Sequence, residues 1–307
     1  MSSTFWEQVK ANGLKVPDDR PLAELTSELT AMLGDPDPSI RDGIAYPTIT
    51  TWILDGVYDE LLEGLGDGMA AGLAIGLGED GTDTVFRRSF SVLVLAECIE
   101  RDNAHHLVPA SKMVAWGDRV ASWLVRERDL RGFVPGKGWA HAMAHGADAI
   151  ASLAVSEAMG RLELTVLLDV VADRLLLPTE HFLVHGEPDR LARATMRILR
   201  RDLVGLEVLE PWLARIGQNA RAHGLGETDP FLVAANVQAY LRALHLQLAL
   251  APHPPATRSD LLLTVMDRLR ESNPDYLSPG ARPGRGHSRS PAEARGPPPL
   301  PRGRGRR

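Results

Sequence analysis

Two histidines, two aspartates, an arginine, a lysine and several glycines fall within the twenty residues Asp129–Asp148, the densest chemistry in the 307-residue chain. If residues 140–151 are helical, His141, His145 and Asp148 follow at i, i+4 and i+7. At about 100° per residue the three then share one narrow stripe. Two neutral imidazoles one turn apart, with a carboxylate on the same face, suit zinc or another divalent ion with water completing its coordination. The same stripe suits a non-metal ligand or acid/base site. It also suits hydrogen-bonded packing, because Ala140, Ala144, Ala147 and Ala151 beside it form a face that another helix can approach closely. A zincin helix carries glutamate directly after the first histidine; here that residue is Ala142, so the built-in general base is missing. Glu180-His181 and His185-Gly186-Glu187 form a second cluster placed to face the same groove.

Cations supply a further possibility. Arg87, Arg88, Arg131 and Lys137 make an anion cradle for one carboxylate or phosphate if neighbouring helices present them to a shared surface. The alternative is an interior salt-bridge ladder, in which arginines at helix starts pair with aspartates of adjacent turns, as Arg41 would with Asp42 or Asp35. The candidate ligand-binding set is therefore Arg87, Arg88, Asp129, Arg131, Lys137, Trp139, His141, His145 and Asp148. A metal would take His141, His145 and Asp148, and no residue is assigned a catalytic role. Gly76-Leu-Gly78-Glu-Asp-Gly81 fits a dinucleotide fingerprint, yet neither a strand before it nor a βαβ unit after it is visible. There is no Walker loop, no Gly-x-Ser-x-Gly elbow and no Cys-x-x-Cys.

The elements that would position these residues are helices. Pro21 opens a segment with Leu22, Leu25, Leu29, Met32 and Leu33 on one face, and Gly34, Pro36 and Pro38 close it. Ser39 is placed to cap the next helix. Val85, Ser89, Val92, Ala96 and Ile99 give another stripe, Leu191, Ala194, Ile198 and Leu199 a third, and Asp229-Pro230 starts a long helix. No period-two alternation bounded by hairpin turns is evident. Glycine-preceded helix starts recur at about the 40–50-residue spacing of HEAT-type helix pairs. The expected fold is all-α, a HEAT-like array over 1–278. Gly68 reads as a surface turn, and the dispersed Trp6, Trp52, Trp116, Trp123, Trp139 and Trp212 read as packing anchors.

Charge divides the chain. Residues 279–307 carry eight arginines against Glu293, a net of +7, so with −6 overall the body 1–278 carries −13. An acidic body is not expected to bind nucleic acid, and the Arg/Pro/Gly-rich tail 279–307 is expected to be disordered. The longest near-continuous apolar run, Val92–Ala96, is far short of the roughly 20 residues that span a bilayer, and no secretory signal is visible. Cys98, the single cysteine, lies in an apolar run and suits a buried thiol in a reducing, cytoplasmic setting.

Ile40-Arg-Asp-Gly-Ile-Ala-Tyr46 with Thr51-Trp-Ile53, Val85-Phe-Arg-Arg-Ser-Phe-Ser91, Asp129-Leu-Arg-Gly-Phe-Val134 and Lys137-Gly-Trp-Ala-His-Ala-Met-Ala-His-Gly-Ala-Asp148 together resemble a bacterial family, domain of unknown function 2785. The resemblance extends over roughly residues 5–278. It implies a helical, HEAT-like body without a settled activity. Two function classes follow: a module that binds a protein or peptide partner, and an enzyme or small-ligand receptor centred on residues 129–148, with an anionic ligand or a divalent metal.

Overall fold

Proline and glycine punctuation cuts this chain into amphipathic helices, and the computed structural model describes them over residues 2–221 and 229–277. The order begins with α1 (Ser2–Ala11), α2 (Leu22–Met32) and α3 (Pro38–Ile40), the last passing through a π-helical turn, Arg41–Ala45, into α4 (Tyr46–Leu54). After α5 (Leu62–Gly72) come α6 (Thr84–His105) and α7 (Ala110–Arg126), then strands β1 (Phe133–Val134) and β2 (Gly138–Trp139). The helices α8 (Ala142–Val155), α9 (Arg161–Leu176), α10 (Glu187–Leu199), α11 (Leu206–Gln218), α12 (Pro230–Leu250), α13 (Arg258–Ser272) and α14 (Pro274–Leu277) follow. The protein is all-α apart from the two-residue strands. The arginine-rich tail lies outside the described residues.

Helices alternate between two rows. α6 packs on α8, α8 on α10 and α10 on α12, while α5, α7, α9, α11 and α13 contact one another in sequence behind them. One continuous core fills the space between. Trp6, Trp52, Trp116 and Trp123 are fully buried within it. Each such side chain contributes about 1.5–3 kcal/mol by leaving water. Each also finds an acceptor for its indole N–H, Trp116 at Asp67 Oδ1 and Trp123 at Glu127 Oε2. A buried N–H left unpaired would offset much of that gain. Trp139 breaks the pattern: it is 41% exposed. No helix among the described residues is long and apolar enough to cross a membrane.

Several sequence expectations hold locally and others need correction. Asp229 caps α12 as its position before Pro230 requires, accepting the Phe231 N–H. At the start of α3 the cap is Asp37, not Ser39; Pro38 occupies the first helical position, and Asp37 Oδ1 accepts both the N–H and the hydroxyl of Ser39 at 2.8 Å. The strands form an antiparallel pair, with Phe133 opposite Trp139 and Val134 opposite Gly138. Two residues per strand are too few for alternation to show in the sequence. Gly68 lies inside α5 rather than in a turn.

The glycines of α5 differ sharply in surroundings. A Cβ at Gly66 would fall 2.1 Å from the Trp116 ring, whereas one at Gly68 meets nothing within 4 Å. Gly66→Ala is expected to cost about 1–3 kcal/mol by overpacking. Gly68→Ala is expected to stabilise by up to about 1 kcal/mol through helix propensity. Thermal melts of the two variants check the opposite signs.

Candidate functional site

Loops around the start of α6 and the end of α7 hold the 129–148 segment in place, and buried charge fixes those loops. Arg88 is fully buried in α6 and forks onto Glu127, with Nε to Oε2 at 2.5 Å and Nη2 to Oε1 at 2.9 Å. Its Nη1 donates to the Ile75 and Gly76 carbonyls and to Thr84 Oγ1. Glu127 Oε1 also accepts the N–H groups of Arg128 and Asp129, and the Glu127 carbonyl accepts Arg174 Nη1 at 2.7 Å. Burial lowers the Arg174 guanidinium to about 10 despite the Glu127 charge. Every strong donor and acceptor of the Arg88–Glu127 pair is thus used internally.

Asp129 repeats the arrangement one step further along. It is fully buried, receives Arg131 Nε at 2.8 Å and Nη2 at 2.6 Å, and accepts the Gly81 N–H at 3.1 Å. Gly81 belongs to the Gly-x-Gly-x-x-Gly segment, which follows helix α5 and joins it to α6 as a loop rather than following a strand. Lys137 Nζ sits 2.7 Å from both oxygens of Asp83. Arg41 Nη2 reaches the Lys137 carbonyl at 2.8 Å, while its Nη1 donates to the Asp35 carbonyl and its guanidinium lies 4.1 Å from the Phe86 ring centroid. Asp42 completes the charge balance at 2.7 Å. Arg88, Asp129, Arg131 and Lys137 are therefore paired within the protein and do not converge on one point. Arg87 stands apart, with no ion pair among the described residues.

The hairpin turn needs glycine. Gly136 and Gly138 have φ of +76° and +77°, and a Cβ at Gly138 would also lie 3.1 Å from Pro38 Cβ. Beyond β2 the chain stays tied to the preceding segment, Ala140 N–H to the Gly132 carbonyl and His141 N–H to the Arg131 carbonyl. His141 consequently does not belong to the helix. It takes a left-handed conformation, φ 51°, as the residue before α8, so the sequence reading of a helix from residue 140 is corrected by two residues.

His141 and His145 still meet, with ring centroids 5.8 Å apart. Both are buried. The Ser89 hydroxyl donates to the Ala140 carbonyl, leaving its lone pairs for His145 Nδ1 at 2.8 Å; Nδ1 also faces the Ser89 carbonyl at 3.3 Å. A carbonyl only accepts, so His145 carries its proton on Nδ1. His141 Nε2 is buried without a hydrogen-bond partner among the described residues. Trp139 covers the His141 ring at 4.3 Å between centroids, and His185 approaches both, at 5.5 Å from Trp139 and 6.2 Å from His141. Gly132 makes room for that ring: a Cβ there would fall 2.2 Å from His185 Nδ1.

Asp148 turns elsewhere. Its Oδ2 accepts Arg190 Nη1 at 2.7 Å, and Arg193 lies 3.9 Å from Oδ1. Burial raises its carboxyl above the ordinary value although the arginines oppose the shift. Among the described residues no group of three His, Cys, Asp or Glu side chains converges to hold a metal ion. His185 joins the aromatic cluster, whereas His181 lies 3.7 Å from Asp80 instead. Sequence reasoning did not single out Ser89, Glu127 or Arg190. Ser89 stood only as one position of an apolar stripe, and no local spacing marks partners 39 to 56 residues away.

Fold and site together define an all-α protein whose characteristic motif builds a charge-locked aromatic hairpin. Residues 73–246, more than half of the chain, match the family model described as protein of unknown function (DUF2785), and the chain belongs to that family. The Ile40–Tyr46 and Thr51–Ile53 stretches lie outside the matched segment. No curated protein and no solved structure matches the chain.

Burial, then the charges of Arg190 and His185, holds His141 at about 4; burial, then His141 and Arg190, holds His145 at about 3. Between those values and the ordinary histidine pKa near 6.5 the unfolded chain binds more protons than the folded one, so stability is full above about pH 6.5 and falls as pH drops toward 3–4. Each histidine contributes a slope of up to about 1.4 kcal/mol per pH unit. Urea midpoints measured from pH 7 to pH 4.5 are expected to fall steeply for the native chain, and less so for His145→Gln. Parallel pH profiles for the two would refute this account.

Proposed function

We propose that the chain is a protein- or peptide-binding module, a HEAT-like helical array that presents the Phe133–Trp139 hairpin as its recognition tip. One observation carries the reading: Arg88, Asp129, Arg131 and Lys137 are spent on internal partners, while Phe133 and Trp139 remain 49% and 41% exposed. A rigid aromatic pair, edge to face at 5.1 Å, is the kind of anchor that dominates protein interfaces. The body's charge of −13 favours a basic partner. The fully buried Cys98 suits a reducing compartment and supports a cytoplasmic setting.

A second reading, a small-ligand receptor or enzyme at the same place, draws support from His141 Nε2, which lacks a partner beside His145 and His185. The favoured reading is tested by selecting a random peptide library on the native chain and on Trp139→Ala. Peptides enriched in Lys and Arg are expected, with affinity at least tenfold weaker for the variant and unchanged helical circular dichroism. Selected peptides that ignore Trp139 would overturn the assignment of the hairpin.

A further inference from the structure

Of the four cations that the sequence groups into a cradle, three have carboxylate partners and Arg87 has none among the described residues. Its stem is wedged between two helix ends. A Cβ at Gly34, just past α2, would lie 3.2 Å from Arg87 Cβ, and one at Gly72, the last residue of α5, would lie 3.4 Å from Arg87 Nε. Ser91, one turn along α6 on the same side, is fully buried with its hydroxyl unpartnered, and it packs against the same Gly72. Arg87 Nε is likewise buried and unpartnered, and burial pushes the guanidinium below its ordinary value. A cation and a hydroxyl without partners, both against Gly72, are groups whose burial an anion would compensate.

Leading up to this point is an open apolar groove of about 470 Å³ between α2 and α5. That volume falls within the range of roughly 300–1,000 Å³ found for small-molecule sites. Thr30 and Gly68 line the groove, and Gly34 and Gly72, the glycines against Arg87, follow them by four residues each, so Arg87 lies one helical turn beyond the lining. Of the lining hydroxyls, Thr26 donates to the Leu22 carbonyl and shares a hydrogen bond with Tyr58, and Ser27 and Thr30 line the groove as well. Gly64 and Gly68 contribute no side chain, and a Cβ at either would enter open space. The exposed Glu60 stands at the far end, where its charge repels an anion and orients one toward Arg87.

We propose that the α2–α5 groove binds a single-chain aliphatic carboxylate, its hydrocarbon lying along Leu65 and Gly68 and its carboxylate meeting Arg87 and Ser91. A bare cation at the end of an apolar trough is complementary to that class. A peptide is a poorer match, since most of the groove's exposed lining is apolar and few polar groups stand along it to meet a peptide backbone. The competing account is that Arg87 merely offsets the negative carbonyl ends of α2 and α5. The site is independent of the hairpin and of its proposed partner.

Calorimetric titration of the full chain with decanoate and with 1-decanol tests this. Decanoate is expected to bind one per chain, at least tenfold more tightly than decanol. Gly68→Leu fills the groove from a position with free space, so it should abolish decanoate binding while leaving the melting temperature unchanged or higher. Arg87→Met keeps the apolar stem and should weaken decanoate at least tenfold, spare decanol, and not lower the melting temperature. Absence of decanoate binding, or binding indifferent to Gly68→Leu, would overturn the proposal. A lowered melting temperature for Arg87→Met with intact decanoate binding would assign Arg87 to the helix ends instead. Dimerisation, or binding of a short apolar peptide, that is lost in Gly68→Leu while decanoate fails to bind would replace the ligand with a second copy or a peptide.

Discussion

A single buried ion pair, Arg88 with Glu127, sets the positions of everything around the motif. Removing two charges from water costs several kcal/mol each, and the loss is recovered only when geometry and additional hydrogen bonds are nearly complete. Here they are: the fork is bidentate, Trp123 and two backbone N–H groups fill the remaining carboxylate sites, and three further acceptors receive Arg88 Nη1. The pair therefore holds in one place four separate pieces of chain: the start of α6, the end of α7, the glycine loop at 75–76 and, through the Glu127 carbonyl, α9.

From this anchor the order passes outward. The carboxylate that takes Arg88 also takes the Asp129 N–H, which aims Asp129 at Arg131 and at Gly81. Arg131 and Gly132 in turn offer the carbonyls that tie down His141 and Ala140 and force the left-handed turn into α8. Chemistry-bearing residue types in the motif thus serve mainly to shape the backbone. What reaches the surface is aromatic. Exposed aromatic rings and internally paired charges thus share one short segment.

How much of this could be seen in the chain itself follows from the range of each interaction. Helix limits were legible wherever a short-range rule fixes them, as at Pro21, at Asp229-Pro230 and at Gly186 before α10. The proximity of His141 and His145 was legible too, though for the wrong reason: their rings meet across a backbone turn and not along a helical stripe. Asp148 was placed with them by the same periodicity and in fact faces α10, because the arginines of that helix lie 42 residues on and outcompete neutral imidazoles for a carboxylate. Trp139 resembles the five other tryptophans by composition. Only its position on a two-residue strand distinguishes it.

Most side-chain links between helices span about 40 to 55 residues, the distance from one helix to the next in its row. Two arginines reach further: Arg197 meets Glu100 across 97 residues, and Arg41 clamps the Lys137 carbonyl across 96. Closing twice the length of chain costs only about 0.6 kcal/mol more entropy, yet contacts so remote in sequence form late because the intervening helices must first be in place. The hairpin tip can be assembled locally, but its clamp waits for the N-terminal helices. In topological terms, this one hydrogen bond couples the position of the tip to the N-terminal helices as well as to the helices beside it.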